Sequence, residues 1–201
     1  MTEKAKIKKV GLFFGSFNPI HTGHMIIAGY MLGFTDLDEV WMVISPHNPL
    51  KEKTSLLADN HRYYMVQLAV EDQPGLRSCN IEFKLPQPSY TIDTLVRLEE
   101  KHPDHQFVLI AGTDIFPTFH KWKNYETLLQ NYKFYIYRRP GYDAGIYASN
   151  PHVTIFDAPL MEISSSFIRK AILDGRDIRY FVPEKVYHYI REMHFYEKTS
   201  Q

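Results

Sequence analysis

The sequence predicts a single α/β domain, an open and mainly parallel sheet with helices on both faces, followed by a helical C-terminal extension. Three observations predict it. Short apolar, β-branched or aromatic runs alternate with longer stretches of helical period from the first strand onward. The strand-like runs are near-continuous in their apolar character, the mark of strands covered on both faces, which are usually parallel. The last quarter of the chain carries helix signals only.

In chain order, Lys4, Lys6, Lys8 and Lys9 read as a solvated lead-in, with residues 1–8 expected to be flexible. Val10 to Phe14 is the first strand, and a helix is expected over Gly23 to Gly33. Val40 to Ile44 is the second strand; Asn60 to Glu71 follows as a helix, with Asp59 expected as its N-cap and Met65, Leu68 and Ala69 on one face. Thr91 to Lys101 places Ile92, Leu95 and Leu98 on a single helical face and leads into the strand Phe107 to Ala111. Tyr132 to Tyr137 reads as another strand, ended by Arg138, Arg139, Pro140 and Gly141, where Pro-Gly signals a turn. His152 to Phe156 adds one more. Ser165 to Leu173 and Glu184 to His194 are the closing helices, the second opened by Pro183, and residues 160–196 form the helical part. No linker, low-complexity tract or internal repeat divides the 201 residues, so residues 1–201 are expected to form one domain.

Composition removes several function classes. The chain carries 23 basic and 23 acidic side chains, so broad electrostatic capture of nucleic acid or an anionic membrane is not expected. Its longest apolar runs span five residues, far below the roughly 20 that cross a bilayer. The lone Cys79 forms neither an internal disulfide nor a Cys-rich zinc site, which fits a reducing, cytoplasmic setting.

The chemistry concentrates in two segments. Directly after the first strand comes Gly15-Ser16-Phe17-Asn18-Pro19-Ile20-His21-Thr22-Gly23-His24, with a helix starting inside it. A strand, a glycine-bearing turn and a helix N-terminus together make an anion site, because backbone N–H groups and the helix dipole aim at the same point. Gly15 allows close approach of a ligand; His21 and His24, three residues apart, share one side of the first turn, and Gly23 keeps the surface between them bare. Neither a Walker loop nor GxGxxG is present, and no carboxylate stands at a spacing that would complete a zinc site with the two histidines. Near the other end stands Ile163-Ser164-Ser165-Ser166-Phe167-Ile168-Arg169. Ser164 or Ser165 can cap the helix, while Ser166 and Arg169 share a face that can grip phosphate oxygens.

Together the HxGH loop and the late ISSxxIR-like segment resemble the fingerprint of a nucleotidyltransferase superfamily with a Rossmann-like fold. Three further segments narrow the resemblance: Pro88-Ser89-Tyr90-Thr91 with Asp93 and Thr94; Gly112-Thr113-Asp114 followed by Phe119-His120-Lys121-Trp122; and Tyr137 to Gly141. In this order, from Val10 to Tyr196, they are similar to the bacterial nicotinate-nucleotide adenylyltransferases. The resemblance implies adenylyl transfer from ATP to nicotinate mononucleotide, giving nicotinate adenine dinucleotide and pyrophosphate in NAD biosynthesis. It implies that His21, His24 and Arg169 surround the ATP phosphates. Gly15, Ser16, Phe17, Ser164, Ser166, Ile168 and Lys51 would complete the ATP site. Asp114 would bind a ribose, Trp122 would stack on the pyridine and Thr91 would lie beside its carboxylate, with Gly112, Asn48 and Arg139 nearby. Mg2+ is expected, held mainly through ATP phosphates, without dedicated protein metal ligands. Imidazoles beside phosphate would favour the charged form.

The chain departs from the family's pattern at three places. Asn18 replaces the commoner aspartate, the second strand is followed by Pro46-His47-Asn48-Pro49-Leu50-Lys51 in a shortened form, and Lys123 stands where an aromatic residue is frequent. Rival acceptors are the amide mononucleotide, phosphopantetheine and, with cytidylyl transfer, an alcohol phosphate. A nucleotide-binding regulatory module without turnover is the alternative of another class. A homo-oligomer is compatible with the sequence, and no nucleic-acid or membrane partner is expected.

Overall fold

The computed structural model describes residues 7–46 and 56–198. Its centre is a six-stranded sheet in the order β3-β2-β1-β4-β5-β6, with every pairing parallel. The strands are β1 Lys8–Gly15, β2 Glu39–Ile44, β3 Leu76–Cys79, β4 His105–Gly112, β5 Lys133–Tyr137 and β6 Val153–Phe156. The helices are α1 Thr22–Phe34, α2 Asp59–Val70, α3 Thr91–Lys101, α4 Phe116–Phe119, α5 Tyr125–Asn131, α6 Ser165–Leu173 and α7 Glu184–Glu192.

Side chains alternate across the strands and build two cores. Phe13, Val40, Met42, Val108 and Ile110 face one side, where Ile27 and Met31 of α1, Met65 and Val66 of α2, Ile168 of α6 and Val186 of α7 close over them. Val10, Leu12, Trp41, Val43 and Leu109 face the other, beneath Leu95 and Leu98 of α3, Phe116 and Phe119 of α4 and Leu128 of α5. A strand buried on both faces has no polar alternation to show, which is why these runs read as continuous apolar stretches. Both faces are covered, as expected, and the sheet is parallel throughout the described residues.

This topology positions the site. The chain leaves β1 toward one face through α1 and leaves β4 toward the other through α4 and α5. The two neighbouring strands therefore open a crevice at their carboxyl ends, where open α/β sheets bind ligands.

Several local expectations are corrected. Lys8 and Lys9 belong to β1: Lys8 Nζ meets Glu39 at 2.8 Å, and Lys9 Nζ bonds Asp36 and Tyr135. The rest of the expected lead-in, Met1 to Lys6, lies outside the described residues. Asp59 is the first residue of α2 and Ala58 its N-cap; the Asp59 carboxylate is held by Arg62 instead. β3 carries no sequence signal because Leu-Arg-Ser-Cys is a four-residue edge strand with one buried side chain. α4 and α5 are four and seven residues long, too short to show a helical period. α7 stops at Glu192, and His194 adopts a left-handed backbone at φ 52°. No helix among the described residues is long and apolar enough to cross a membrane.

Candidate active site

The loop after β1 is shaped by a buried ring. Phe17 takes a left-handed backbone at φ 45° and turns its side chain under the loop, edge-to-face with Phe13 and with His24, whose centroid lies 5.0 Å away. A Cβ on Gly15 would sit 2.8 Å from that ring. Gly15 therefore makes room for Phe17, a reason for its bareness besides the close ligand approach expected from the sequence. Phe17 supports the floor from below, where its buried ring offers a ligand no face.

His21 is the N-cap residue of α1 and His24 its third residue. Their rings stack with centroids 3.7 Å apart and planes 26° from parallel. The backbone N–H of His21 donates to Nδ1 of His24 at 3.3 Å, so the neutral His24 ring carries its proton on Nε2. A Cβ on Gly23 would lie 3.1 Å from His21 Nδ1, so this glycine is what lets the imidazole fold over the first turn. His21 is 5% exposed, and its Nδ1 has no hydrogen-bond partner among the described residues. Burial, helped by the charge of Arg139, pushes its pKa down to about 4. The protein itself therefore holds His21 neutral near pH 7, and the charged form expected beside phosphate has to overcome this burial.

The late segment closes on this loop. Ser164 resolves the choice of cap: its hydroxyl accepts from the Phe167 N–H at 3.1 Å. Ser165 Oγ donates to the Pro19 carbonyl at 2.9 Å. Arg169 donates from Nη1 to the Asn18 carbonyl at 2.7 Å and from Nη2 to Ser166 Oγ at 3.2 Å. The Ser165 and Arg169 bonds thus join the two stretches, and the Thr22 N–H donates to the Phe181 carbonyl at 2.9 Å. A cavity of about 520 Å³ opens on the late-helix side of this junction, lined by Leu56, Leu57, Ser166, Arg169, Lys170, Leu173 and Tyr196; neither His21 nor His24 lines it. Ile168 corrects one expectation: its side chain is fully buried in the core and its N–H bonds the Ser164 carbonyl, so neither group is offered to a nucleotide.

The second half of the crevice lies past β4 and β5. Asp114 follows β4 in a 3-10 turn, Thr113–Ile115, and its carboxylate stands 3.7 Å from Arg139 past β5. Thr113 Oγ1 accepts the Arg139 N–H at 2.8 Å and so fixes that arginine's backbone. A Cβ on Gly112 would lie 2.3 Å from Asp114 Oδ1 and 2.8 Å from Arg139 Cδ, so glycine is what allows the pair to close over the strand end. Trp122 is half-buried, its ring 5.2 Å from that of Phe119, with one part packed and the remainder accessible. Lys123 ties this segment to the start of α3: its Nζ meets both Asp93 oxygens, at 2.8 and 3.0 Å, and lies 4.8 Å over the Tyr90 ring. Thr91 opens α3 on the same side of that clip. Asn48 and Lys51 fall outside the described residues.

Three supporting residues escaped the sequence reading. Arg62, fully buried, spends all five N–H groups on Ser16, Ser45, Pro46 and Leu57 carbonyls and on Asp59. The Tyr196 hydroxyl donates to Asn18 Oδ1 at 2.7 Å, and the Leu57 N–H donates to the same atom at 3.3 Å. Asn18 thus does its work as an acceptor, which an amide oxygen supplies without a charge. Glu82 is the third. The one available signal was positional: Arg62 lies three residues before Met65 on the stripe that faces the core.

An open parallel sheet that delivers an HxGH turn against the arginine of a late helix defines a nucleotide-binding α/β protein of the transferase type. Residues 12–171 match the cytidylyltransferase-like family model. A probable nicotinate-nucleotide adenylyltransferase of Flavobacterium johnsoniae is 50% identical over 192 residues, covering 94% of this chain and all of the relative. Its counterpart in Bacteroides thetaiotaomicron is 43% identical, over 96% of this chain and 95% of the relative. The chain belongs to the cytidylyltransferase-like family and, within it, to the nicotinate-nucleotide adenylyltransferases. A solved structure of the Plasmodium falciparum nicotinic acid mononucleotide adenylyltransferase complexed with NaAD shares the fold, with a TM-score of 0.78 at 23% identity over 94% of this chain and 97% of the other.

Proposed function

We propose that the chain transfers the adenylyl group of ATP to nicotinate mononucleotide, releasing pyrophosphate and forming nicotinate adenine dinucleotide. The observation that carries the mechanism is the hydrogen bond from Arg169 to the Asn18 carbonyl, which seats a guanidinium on the loop that bears both histidines.

An oxygen of the acceptor phosphate attacks the α-phosphorus, and the bond from that phosphorus to the bridging β-oxygen breaks. The acceptor is already ionised near neutral pH and needs no general base. What the protein must supply is alignment and neutralisation of the charge that grows on the leaving pyrophosphate. Three of the five N–H groups of Arg169 make no hydrogen bond to another described residue, which leaves the guanidinium donors for phosphate oxygens. His24 supplies a neutral donor through Nε2 or, once protonated beside phosphate, a positive charge. His21, neutral in the protein's own field, gains its proton only to the extent that polyphosphate offsets burial and Arg139. On the acceptor side, Asp114 offers two oxygens to ribose hydroxyls, and the accessible part of Trp122 offers a flat apolar face to the pyridine.

The donor set at the phosphate loop is imidazole, hydroxyl and guanidinium, which suits magnesium only as an ion carried on ATP phosphates and water; bound so, it neutralises phosphate charge. The test is pyrophosphate release from ATP and magnesium with nicotinate mononucleotide, its amide or phosphopantetheine as acceptor. Release with nicotinate mononucleotide in clear excess over the other two supports this reading. Preference for another acceptor reassigns the substrate, and release with none favours a binding module.

A further inference from the structure

Glu82 is 3% exposed and takes no part in the chemistry above. It lies in the 3-10 turn Ile81–Lys84, just past the edge strand β3, and its Oε1 accepts the Thr94 hydroxyl at 2.7 Å. The hydroxyls of Ser45 and Ser89 lie near its carboxyl and favour the charged form, and its backbone carbonyl accepts Gln87 Nε2 at 3.0 Å. No cation among the described residues pairs with it. Burial pushes its pKa up, and the three hydroxyls pull it back.

A carboxyl buried without a cation is costly, and apolar packing would fill the same space more cheaply. What an apolar side chain cannot do is accept the Thr94 hydroxyl, with two further hydroxyls nearby. Ser45 follows β2 directly, where its N–H donates to the Gly15 carbonyl at 3.0 Å. Ser89, Gln87 and Thr94 belong to the entry and first turn of α3, the turn that Thr91 opens and that Lys123 clips to the Trp122 segment. Glu82 therefore ties the turn after β3 to one wall of the acceptor crevice, through Thr94 at its carboxylate and Gln87 at its carbonyl. The loop of ATP-side residues is anchored by other groups, Arg62, Ser165 and Tyr196.

We propose that Glu82 is a positioning residue for the acceptor mononucleotide: by holding the Thr94 hydroxyl on its carboxyl, it fixes the first turn of α3, and Thr91 with it, in the place the pyridine must meet. This rests on the adenylyl-transfer reading. A general loss of folding would impair both substrates, whereas misplacement of this wall impairs one.

The experiment is steady-state kinetics on the full chain with each substrate varied in turn. Glu82→Ala is expected to raise KM for nicotinate mononucleotide at least about tenfold while KM for ATP stays within about twofold. Thr94→Val, close to isosteric and less hazardous to folding, should shift the same ratio in the same direction by about threefold or more. Glu82→Gln keeps an acceptor for Thr94 and should recover most of the loss. Equal rises in both KM values, a rise confined to ATP, or unchanged values in the folded Thr94→Val variant would overturn the proposal. Wild-type turnover judges the adenylyl-transfer reading separately; the variant-to-wild-type ratio judges Glu82, read with whichever acceptor the wild type uses.

Discussion

Arg62 offers the sharpest test of how the loop after β1 is held. Its guanidinium has no exposure to solvent, and its five N–H groups meet Ser16 O at 2.5 Å, Ser45 O at 2.9 Å, Pro46 O and Leu57 O at 3.1 Å each, and Asp59 Oδ1 at 2.5 Å. Arg62→Met keeps much of the volume and removes every donor. Asp59 is partly exposed and can turn to water, but four backbone carbonyls lose a donor in the interior. At about 1–3 kcal/mol for each unsatisfied buried group the upper bound is large. Loop relaxation and water entry reduce it, and truncating one partner of a buried charged cluster typically costs about 3–5 kcal/mol. We expect about 4 kcal/mol, which for a chain of this size lowers Tm by about 8–16 °C. Arg62→Lys retains at most three donors on a flexible stem and should cost about half as much. Thermal unfolding without nucleotide measures both. A Tm for Arg62→Met within about 2 °C of wild type would show that the cluster does not hold the loop in solution.

Other expectations follow from the same geometry. His24→Ala should lower turnover at saturating substrates at least about a hundredfold with little change in Tm, read by pyrophosphate release. His21 is depressed to about 4 from 6.5, chiefly by burial and then by Arg139, so it contributes stability above about pH 6.5 that is lost as pH falls toward 4. At about 1.4 kcal/mol per pH unit, wild type should lose about 3 kcal/mol more than His21→Asn between pH 7 and 4, measured by urea unfolding; parallel profiles would contradict this. Tyr196→Phe removes only the donor to Asn18 and should cost about 1 kcal/mol, with KM for ATP rising more than KM for the mononucleotide. Gly112→Ala places a methyl against Asp114 and Arg139 and should raise KM for the mononucleotide by about tenfold or more, while Lys123→Ala, an exposed pair, should move Tm by less than about 2 °C.

The sheet and the two segments of the candidate site are legible in the sequence for the same reason. Val40 to Ile44 and Phe107 to Ala111 announce strands because burial on both faces demands unbroken apolar side chains, a local property. The histidine pair and the Ser166-Arg169 pair are likewise local, set by helical spacing. Arg62, Glu82 and Tyr196 act through partners such as Ser16, Ser45 and Asn18, which the chain brings near only on folding, and residue type alone does not show that. Gly15 and Gly23 were visible as glycines, but the groups that fill their missing side chains, the Phe17 ring and the His21 imidazole, were not. The ligand-free state of His21 was out of reach for the same reason: its pKa follows from enclosure and from Arg139, more than a hundred residues away.

A crystal structure of the protein with magnesium and a non-hydrolysable ATP analogue interrogates the centre of this account directly. One polyphosphate chain should accept hydrogen bonds from the His24 imidazole and the Arg169 guanidinium at once. A nucleotide bound with its phosphates on only one of these groups, or elsewhere on the surface, would contradict it.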